Sequence, residues 1–146
     1  MSCSKIAYED EIISNGGNVY SLPISNDLIG NSPLKYVKRK SIINKFFKEH
    51  NDYDVVHLNC LSLNSIFWIK AAKKEGIKKS IIHGHIDKNL YKSKLRIFIS
   101  EILAKWNRLY LRKNNNIVRL SASHKSGKYM YDKNPYTVIS NGIDVE

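Results

Sequence analysis

The chain has 146 residues, 42% of them hydrophobic and 25% charged, which is typical of a folded globular protein and argues against disorder. Its 24 lysines and arginines exceed its 13 aspartates and glutamates, giving a formal net charge of +11. This surplus favours anionic partners: phosphorylated small molecules, acidic lipid headgroups or nucleic acid. Two cysteines in unlike contexts argue against a disulfide framework, and no stretch has the ~18 apolar residues of a membrane span. We therefore expect a cytoplasmic protein whose membrane contact, if any, is peripheral.

The first third of the chain predicts two helices and one strand. Gly16 and Gly17 give a stop signal after a short helix, and residues 18–22 (NVYSL) are rich in strand-forming types. Pro33 suits the first turn of a second helix, which apolar residues at helical spacing extend to about His50.

The rest of the chain alternates short strands with helices. The predicted strands are Val55–Leu58, 79–85, Ile117–Ala122 and Tyr136–Ile139, and the predicted helices are 63–76, 92–113 and 123–132. Such alternation implies parallel strands joined by right-handed crossovers. We therefore predict an α/β protein with a Rossmann-like, mostly parallel sheet and helices on both of its faces.

Polar residues stand at the carboxyl ends of the predicted strands, where ligands collect in parallel α/β sheets. In residues 79–87 (KSIIHGHID), His83, His85 and Asp87 alternate, so they point to one side if the extended geometry persists. The other candidates at strand ends are His57, Asn59, Ser121 and Ser123.

Three interpretations of the histidine pair compete. Two imidazoles and a carboxylate can bind zinc, but this spacing is not an established metal signature and no thiol cluster accompanies it, so no metal site is predicted. In the structural interpretation, the histidines only cap strand-end carbonyl groups. In the functional interpretation they orient a hydroxyl, donate to a phosphate or act as a base, and Gly84 lets a substrate approach the backbone.

Residues 92–113 predict a long, basic, amphipathic helix. Its apolar stripe consists of Leu95, Phe98, Ile99, Ile102, Trp106, Leu109 and Tyr110, and Lys94, Lys105, Arg108 and Arg112 lie largely away from it. The favoured interpretation is a helix that covers the core and exposes its charged face. The alternative is a helix near an anionic membrane surface that recruits a lipid-linked acceptor. No nucleic-acid-binding pattern accompanies the interleaved tyrosines and lysines, so nucleic acid is not a predicted partner.

Four motifs in order resemble the amino-terminal domain of family 4 glycosyltransferases of the GT-B type, particularly bacterial capsular and exopolysaccharide enzymes. They are YDVVHLN (53–59), KKSIIHGHID (78–87), IVRLSASHKSGKYMY (117–131) and YTVISNGID (136–144). The resemblance runs from about Tyr8 to Glu146, nearly the whole chain. It implies that residues 1–146 form a single, partial domain: the incomplete, Rossmann-like, acceptor-binding amino-terminal half of a GT-B fold.

The resemblance also implies a function and a site. The family moves a sugar from a nucleotide-sugar donor to a glycan or lipid-linked acceptor in surface polysaccharide biosynthesis, at the inner face of the membrane and with no further cofactor implied. His85 matches the histidine that the family places beside the reacting centre, with His83 as the fallback if the register is off by one pleat. Asn141 and Gly142 match the stretch that lines the cleft before the second domain, and they also fit a simple tight turn.

The sequence departs from the family at both ends. The match begins at AYEDEII (residues 7–13), without the phosphate-facing glycine loop, and the sequence stops at NGIDVE, without the donor-binding carboxyl-terminal domain. We therefore expect the chain to be inactive alone and to need a donor half from a second polypeptide. The alternative is a non-catalytic remnant or a binding module for anionic ligands.

Overall fold

One parallel sheet organises the structure, a computed structural model that describes residues 8–24 and 33–140. Its four strands lie in sequence order: β1 (Val55–Cys60), β2 (Lys79–Gly84), β3 (Ile117–Ser121) and β4 (Thr137–Val138). Every neighbouring pair is parallel. The predicted α/β class and the parallel sheet are therefore confirmed.

Five α-helices accompany the sheet. Within residues 8–24 and 33–140 they are α1 (Glu9–Ser14), α2 (Pro33–Glu49), α3 (Phe67–Lys74), α4 (Lys94–Lys113) and α5 (His124–Tyr131), and a 3₁₀ turn (Leu63–Ile66) precedes α3. The chain divides into two compact units, Met1–Ile42 and Ile43–Glu146, and the second holds the whole sheet. In the first unit, the predicted strand at residues 18–22 is wrong, because the structure assigns no strand to these residues.

Gly76 ends α3, as the sequence predicts. Its φ of +98° lies in the left-handed region that favours glycine. This turn lets the amide of Ile77 donate to the carbonyl of Ala72 at 3.1 Å, which satisfies one of the free carbonyls at the end of the helix. The chain then enters β2 two residues later.

One face of the sheet carries the core. The side chains of Cys60, Ile82 and Ile117 pack there in a buried cluster with residues of all three connecting helices. The helix residues in the cluster are Ile69 of α3, Leu111 of α4, and Met130 and Tyr131 of α5. Three right-handed crossovers that always step to the next strand place their helices on the same face, so the sequential strand order explains this shared core.

The side of the long helix α4 that is buried is not the side that the sequence predicted. Its buried residues are Ser100 and Leu111, whereas the stripe expected to cover the core is largely exposed. The core-covering interpretation of that stripe is therefore wrong. Periodicity shows that a helix has an apolar face but not what that face meets, and here small and hydrogen-bonding residues face the domain. Among the described residues, no helix is long and apolar enough to cross a membrane.

Tyr131 ties α5 to the middle of the sheet. Its side chain is fully buried, and its hydroxyl lies 2.9 Å from the carbonyl oxygen of Ile82 in β2 and 2.7 Å from that of Leu120 in β3. Burial raises the pKa of this hydroxyl well above its usual range, so it remains a donor at neutral pH. One group thus fixes the helix against two strands.

We predict that Tyr131→Phe lowers the free energy of unfolding by about 1–2 kcal/mol, because it removes a buried hydroxyl that bonds strand carbonyls while keeping the ring. Urea denaturation followed by circular dichroism measures the change. The matched control is Tyr136→Phe, whose hydroxyl makes an exposed bond of 3.2 Å to the carbonyl of His124, and its effect should be smaller. Equal effects in the two variants would contradict the role given to Tyr131.

Candidate functional site

The register of β1 against β2 brings polar side chains together on the face opposite the core. Asn59 is the partner of His83, and His57 is the partner of Ile81, one pleat earlier. Partners in parallel strands point to the same side and alternate residues share a face, so His57, Asn59 and His83 share the face that Ile82 does not. Sequence alternation alone predicted that His83 and His85 share a side; the register adds His57 and Asn59.

Four side chains form what we call the histidine cluster: His57, Asn59, His83 and His85. The rings of His57 and His83 are stacked, with centroids 5.8 Å apart and planes 13° apart. The centroids of His83 and His85 are 4.3 Å apart. The amide of His85 donates to the carbonyl of Cys60 at 3.3 Å, so strand-like pairing continues one residue past β2 and keeps His85 beside His83.

Asn59 orients His85. Nε2 of the imidazole lies 3.1 Å from Oδ1 of the amide. An amide oxygen only accepts hydrogen bonds, so in this arrangement Nε2 carries the hydrogen and Nδ1 is the acceptor nitrogen of the neutral ring. A side chain from β1 thus sets the tautomer of a side chain that follows β2.

His83 is the buried member of the cluster, at 9% exposure. Burial lowers the pKa of its imidazole, repulsion from His85 and then from His57 lowers it further, and a hydrogen bond with the backbone of Ile139 opposes them. The ring is therefore neutral at pH 7. Its Nε2 is a buried nitrogen without a hydrogen-bond partner in the part of the chain that the structure describes. Such an atom is an unmet hydrogen-bonding group inside the domain, and each such group in a folded protein needs an explanation.

Gly84, between the two histidines, faces the core. A Cβ at this position would lie 3.0 Å from Cγ of Met130 and 3.4 Å from the hydroxyl oxygen of Tyr131. Its carbonyl accepts a hydrogen bond from the hydroxyl of Ser126 at 3.0 Å. The packing of α5 against the strand end therefore accounts for the glycine, and the expected approach of a substrate to this backbone is not what explains it.

Asp87 is held by α5. One of its carboxylate oxygens lies 2.9 Å from Nζ of Lys125. The hydrogen bond from Lys125 lowers the pKa of the carboxyl and raises that of the ammonium group, so both groups are charged at neutral pH. Because β2 ends at Gly84, the extended geometry that would have aligned Asp87 with the histidines does not reach it.

The two predicted site serines at the end of β3 bond to the backbone. The hydroxyl of Ser121 donates to the carbonyl of Ser123 at 2.8 Å. The hydroxyl of Ser123 accepts from the amide of Ser126 at 3.1 Å and so caps the amino terminus of α5. Both hydroxyls therefore have structural partners in this conformation. The remaining predicted site residues, Asn141 and Gly142, lie outside the described residues.

A cavity that sequence reasoning missed lies beside α4. Its volume is about 220 Å³. Four segments line it: residues 61–63 after β1, residues 86 and 88–91 after β2, the inward side of α4 (Ser100, Ala104 and Arg108), and Tyr129 and Met130 of α5. Two lining residues, Tyr129 and Asn89, donate to the carboxylate of Glu101, from the hydroxyl at 3.1 Å and from the side-chain amide at 3.3 Å. Burial, followed by this carboxylate, raises the pKa of Tyr129 to about 12. No residue spacing in the sequence predicts the cavity, because the residues that line it come from separate segments.

The arrangement of the rings limits the chemistry of the cluster. Among residues 8–24 and 33–140, no group of three or more histidine, cysteine, aspartate and glutamate side chains is placed to hold a metal ion. What the cluster offers is hydrogen bonding by three imidazole rings and one amide.

Comparisons of the chain with models of protein families, with curated protein sequences and with solved structures gave no match. The resemblance to family 4 glycosyltransferases therefore rests on the order of the motifs in the sequence itself. It remains a prediction about function, whereas the parallel sheet is a property of the structure.

We predict that the protein loses stability on acidification and that His83 accounts for part of the loss. The pKa of His83 is lowered from 6.5 in the folded state, so below about pH 6.5 the unfolded chain binds more protons. The free energy of unfolding should therefore fall as the pH decreases through 6.5. Urea denaturation at pH 7.5 and 5.5 measures this change.

The variant His83→Gln should show a smaller difference between the two pH values than the natural chain. The control is His124→Gln, which removes an exposed imidazole at the start of α5. If the free energy of unfolding of His83→Gln depends on pH as strongly as that of the natural chain, burial of His83 does not lower its pKa, and the prediction is wrong.

Proposed function

We propose that the chain is the acceptor-binding half of a glycosyltransferase that moves a sugar from a nucleotide-sugar to a glycan or lipid-linked acceptor of a surface polysaccharide. The observation that carries the proposal is the histidine cluster: a neutral, buried imidazole with an unpartnered nitrogen lies beside a second imidazole whose tautomer is set. The cluster stands at the carboxyl ends of parallel strands, where α/β proteins bind ligands.

In this proposal His85 is the catalytic residue and His83 binds the substrate. The acceptor nitrogen of His85 takes a hydrogen bond from the attacking hydroxyl of the acceptor and withdraws its proton as the new glycosidic bond forms. The bond between the sugar and the phosphate of the donor breaks in the same transfer, and the nucleotide leaves with the bonding electron pair on its phosphate oxygen. Nε2 of His83 bonds a neighbouring hydroxyl and holds the acceptor in line. His57 stacks on His83 and limits its rotation, and Asn59 keeps His85 in the required tautomer.

In this proposal the nucleotide-sugar donor is bound by a different domain. No glycine-rich phosphate-binding loop stands among the residues of the second unit that precede the cluster, and the resemblance assigns the nucleotide-sugar to a carboxyl-terminal domain. We therefore propose that activity requires a donor domain, in the same protein or in a second polypeptide. The formal charge of +11 suits an acceptor that carries phosphate, such as a lipid-linked diphosphate.

A non-catalytic binding module for anionic ligands is the second candidate, favoured by the same net charge. It predicts that phosphorylated ligands bind through the basic surface without involving the histidine cluster. The two candidates therefore differ in which side chains respond to a ligand.

We predict that acceptor saccharides perturb three of the five histidines. The chain contains His50, His57, His83, His85 and His124, so the first and last are internal controls outside the cluster. In nuclear magnetic resonance spectra of protein labelled in the imidazole rings, titration with glycan fragments and with polyprenyl-diphosphate-linked sugars should shift the signals of the three cluster rings. Shifts confined to lysine signals would favour the binding module, and an absence of shifts with any acceptor would contradict the proposal.

We predict that transfer activity, reconstituted by supplying a family donor domain and the family's amino-terminal segment in trans, depends on both histidines. His85→Ala should lower the rate of sugar transfer by about 10²–10⁴-fold, the usual contribution of a general base. His83→Ala should mainly raise the KM for the acceptor. Incorporation of radiolabelled sugar into the acceptor measures both, with His124→Ala as the control. Unimpaired transfer by both cluster variants would make the assignment wrong.

A further inference from the structure

The helix α4 exposes an apolar face that its own domain does not use. Leu95 and Trp106 are each 68% exposed, and Phe98 is 64% exposed. The other large apolar residues exposed on the same helix are Ile99, Ile102, Leu103 and Leu109. Single exposed apolar residues are ordinary, but a row of seven along one helix marks a binding surface.

The contacts of α4 show which way this face points. Its inward side chains are Ser100, which accepts a hydrogen bond from Asn64 at 3.2 Å, Arg108, which donates to the carbonyls of Tyr129 and Met130, and the buried Leu111. Residues of an α-helix are separated by about 100° around its axis, which places the seven apolar residues on the side roughly opposite these three. We call this side the outward face of α4.

Basic residues border the outward face. The helix has five exposed cations: Lys94, Arg96, Lys105, Arg112 and Lys113. Its one acidic residue, Glu101, accepts hydrogen bonds from Tyr129 and Asn89 beside the cavity and is not on the outward face. An apolar band between cations is the pattern of a helix that lies in the plane of a membrane surface.

We propose that the outward face of α4 binds the surface of a bilayer that contains anionic lipids, with the apolar side chains among the acyl chains and the cations at the headgroups. Charge argues against a second copy of the chain, because a symmetric contact would place two sets of five cations together. The apolar residues argue against nucleic acid, because they outnumber the cations and have no counterpart on a phosphate backbone. No described helix can cross a membrane, so the helix lies in the surface.

This binding is independent of the proposed glycosyl transfer, since no residue of the histidine cluster takes part in it. Where both hold, they have a joint consequence. The segment between β2 and α4 carries His85 and leads directly to the amino-terminal end of the helix. Adsorption of α4 therefore keeps the cluster near acceptors that are held in the membrane.

The chain contains its own reporter. It has two tryptophans, Trp68 and Trp106, and Trp106 lies in the outward face. In full-length Trp68→Phe protein, the emission of Trp106 should shift to the blue when vesicles of phosphatidylglycerol and phosphatidylcholine are added. Vesicles of phosphatidylcholine alone should bind at least tenfold more weakly, and added salt should weaken the binding to the anionic vesicles. Cosedimentation of the natural chain with the same vesicles checks the result without relying on the Trp68 variant.

Two pairs of variants separate the apolar and the electrostatic contributions. Phe98→Glu should reduce vesicle binding at least tenfold, whereas Leu34→Glu, at an exposed leucine of α2, should not. Lys105→Glu should reduce it about fivefold or more, because one cation near an anionic surface contributes about that factor, whereas Lys133→Glu should have little effect. All four positions are exposed, and circular dichroism confirms that each variant is folded.

Three results would overturn the proposal. The first is equal binding to anionic and neutral vesicles, or binding to neither. The second is self-association without lipid that Phe98→Glu abolishes, which would make a second copy the occupant. The third is a shift of Trp106 emission with duplex DNA but not with vesicles, which would make the surface a nucleic-acid site.

Discussion

The parallel pairing of β1 with β2 is the constraint on which the rest of the structure depends. Setting Asn59 opposite His83 fixes the face of every residue in both strands, because side chains alternate with a period of two. Ile82 then points to the helices and the neighbouring histidine points away from them. A slip of one residue in β1 would exchange the faces of Asn59 and Cys60. It would therefore bury the Asn59 amide in the core and, at the same time, remove Asn59 and His57 from the histidine cluster.

The sheet thereby separates stability from chemistry. Its core face holds the apolar cluster and the hydroxyl of Tyr131, whose single hydrogen lies within reach of a carbonyl oxygen in each of two strands. The opposite face holds titratable rings, and burial of one of them costs stability at acid pH. Buried groups whose pKa is shifted by desolvation and by nearby charges are frequent at functional sites, and this cluster has both causes. The outward face of α4 is apolar and basic, and it is part of neither face of the sheet.

The sequence was sufficient for the order of elements, because apolar periodicity and glycine or proline signals are local. It was not sufficient where a distant segment decides. The segment 18–22 has strand-forming residues but does not form a strand in the structure. Asp87 forms an ion pair with Lys125 of a later helix, and Gly84 packs against Met130. Similarly, amphipathicity identified α4 as a helix but could not tell that its polar side faces the domain. All four residues of the cluster were candidates from the sequence, because they stand at strand ends. Alternation put His83 and His85 on one side, and the register then showed that His57 and Asn59 share the face of His83.

The most direct test of the central claim is to observe which side chains surround the ring of His83. We predict nuclear Overhauser cross-peaks from its ring protons to those of His57 and His85, whose ring centroids lie 5.8 and 4.3 Å from its own. Cross-peaks from the His83 ring to the side chain of Met130, with none to either imidazole, would place His83 on the core face and contradict the account.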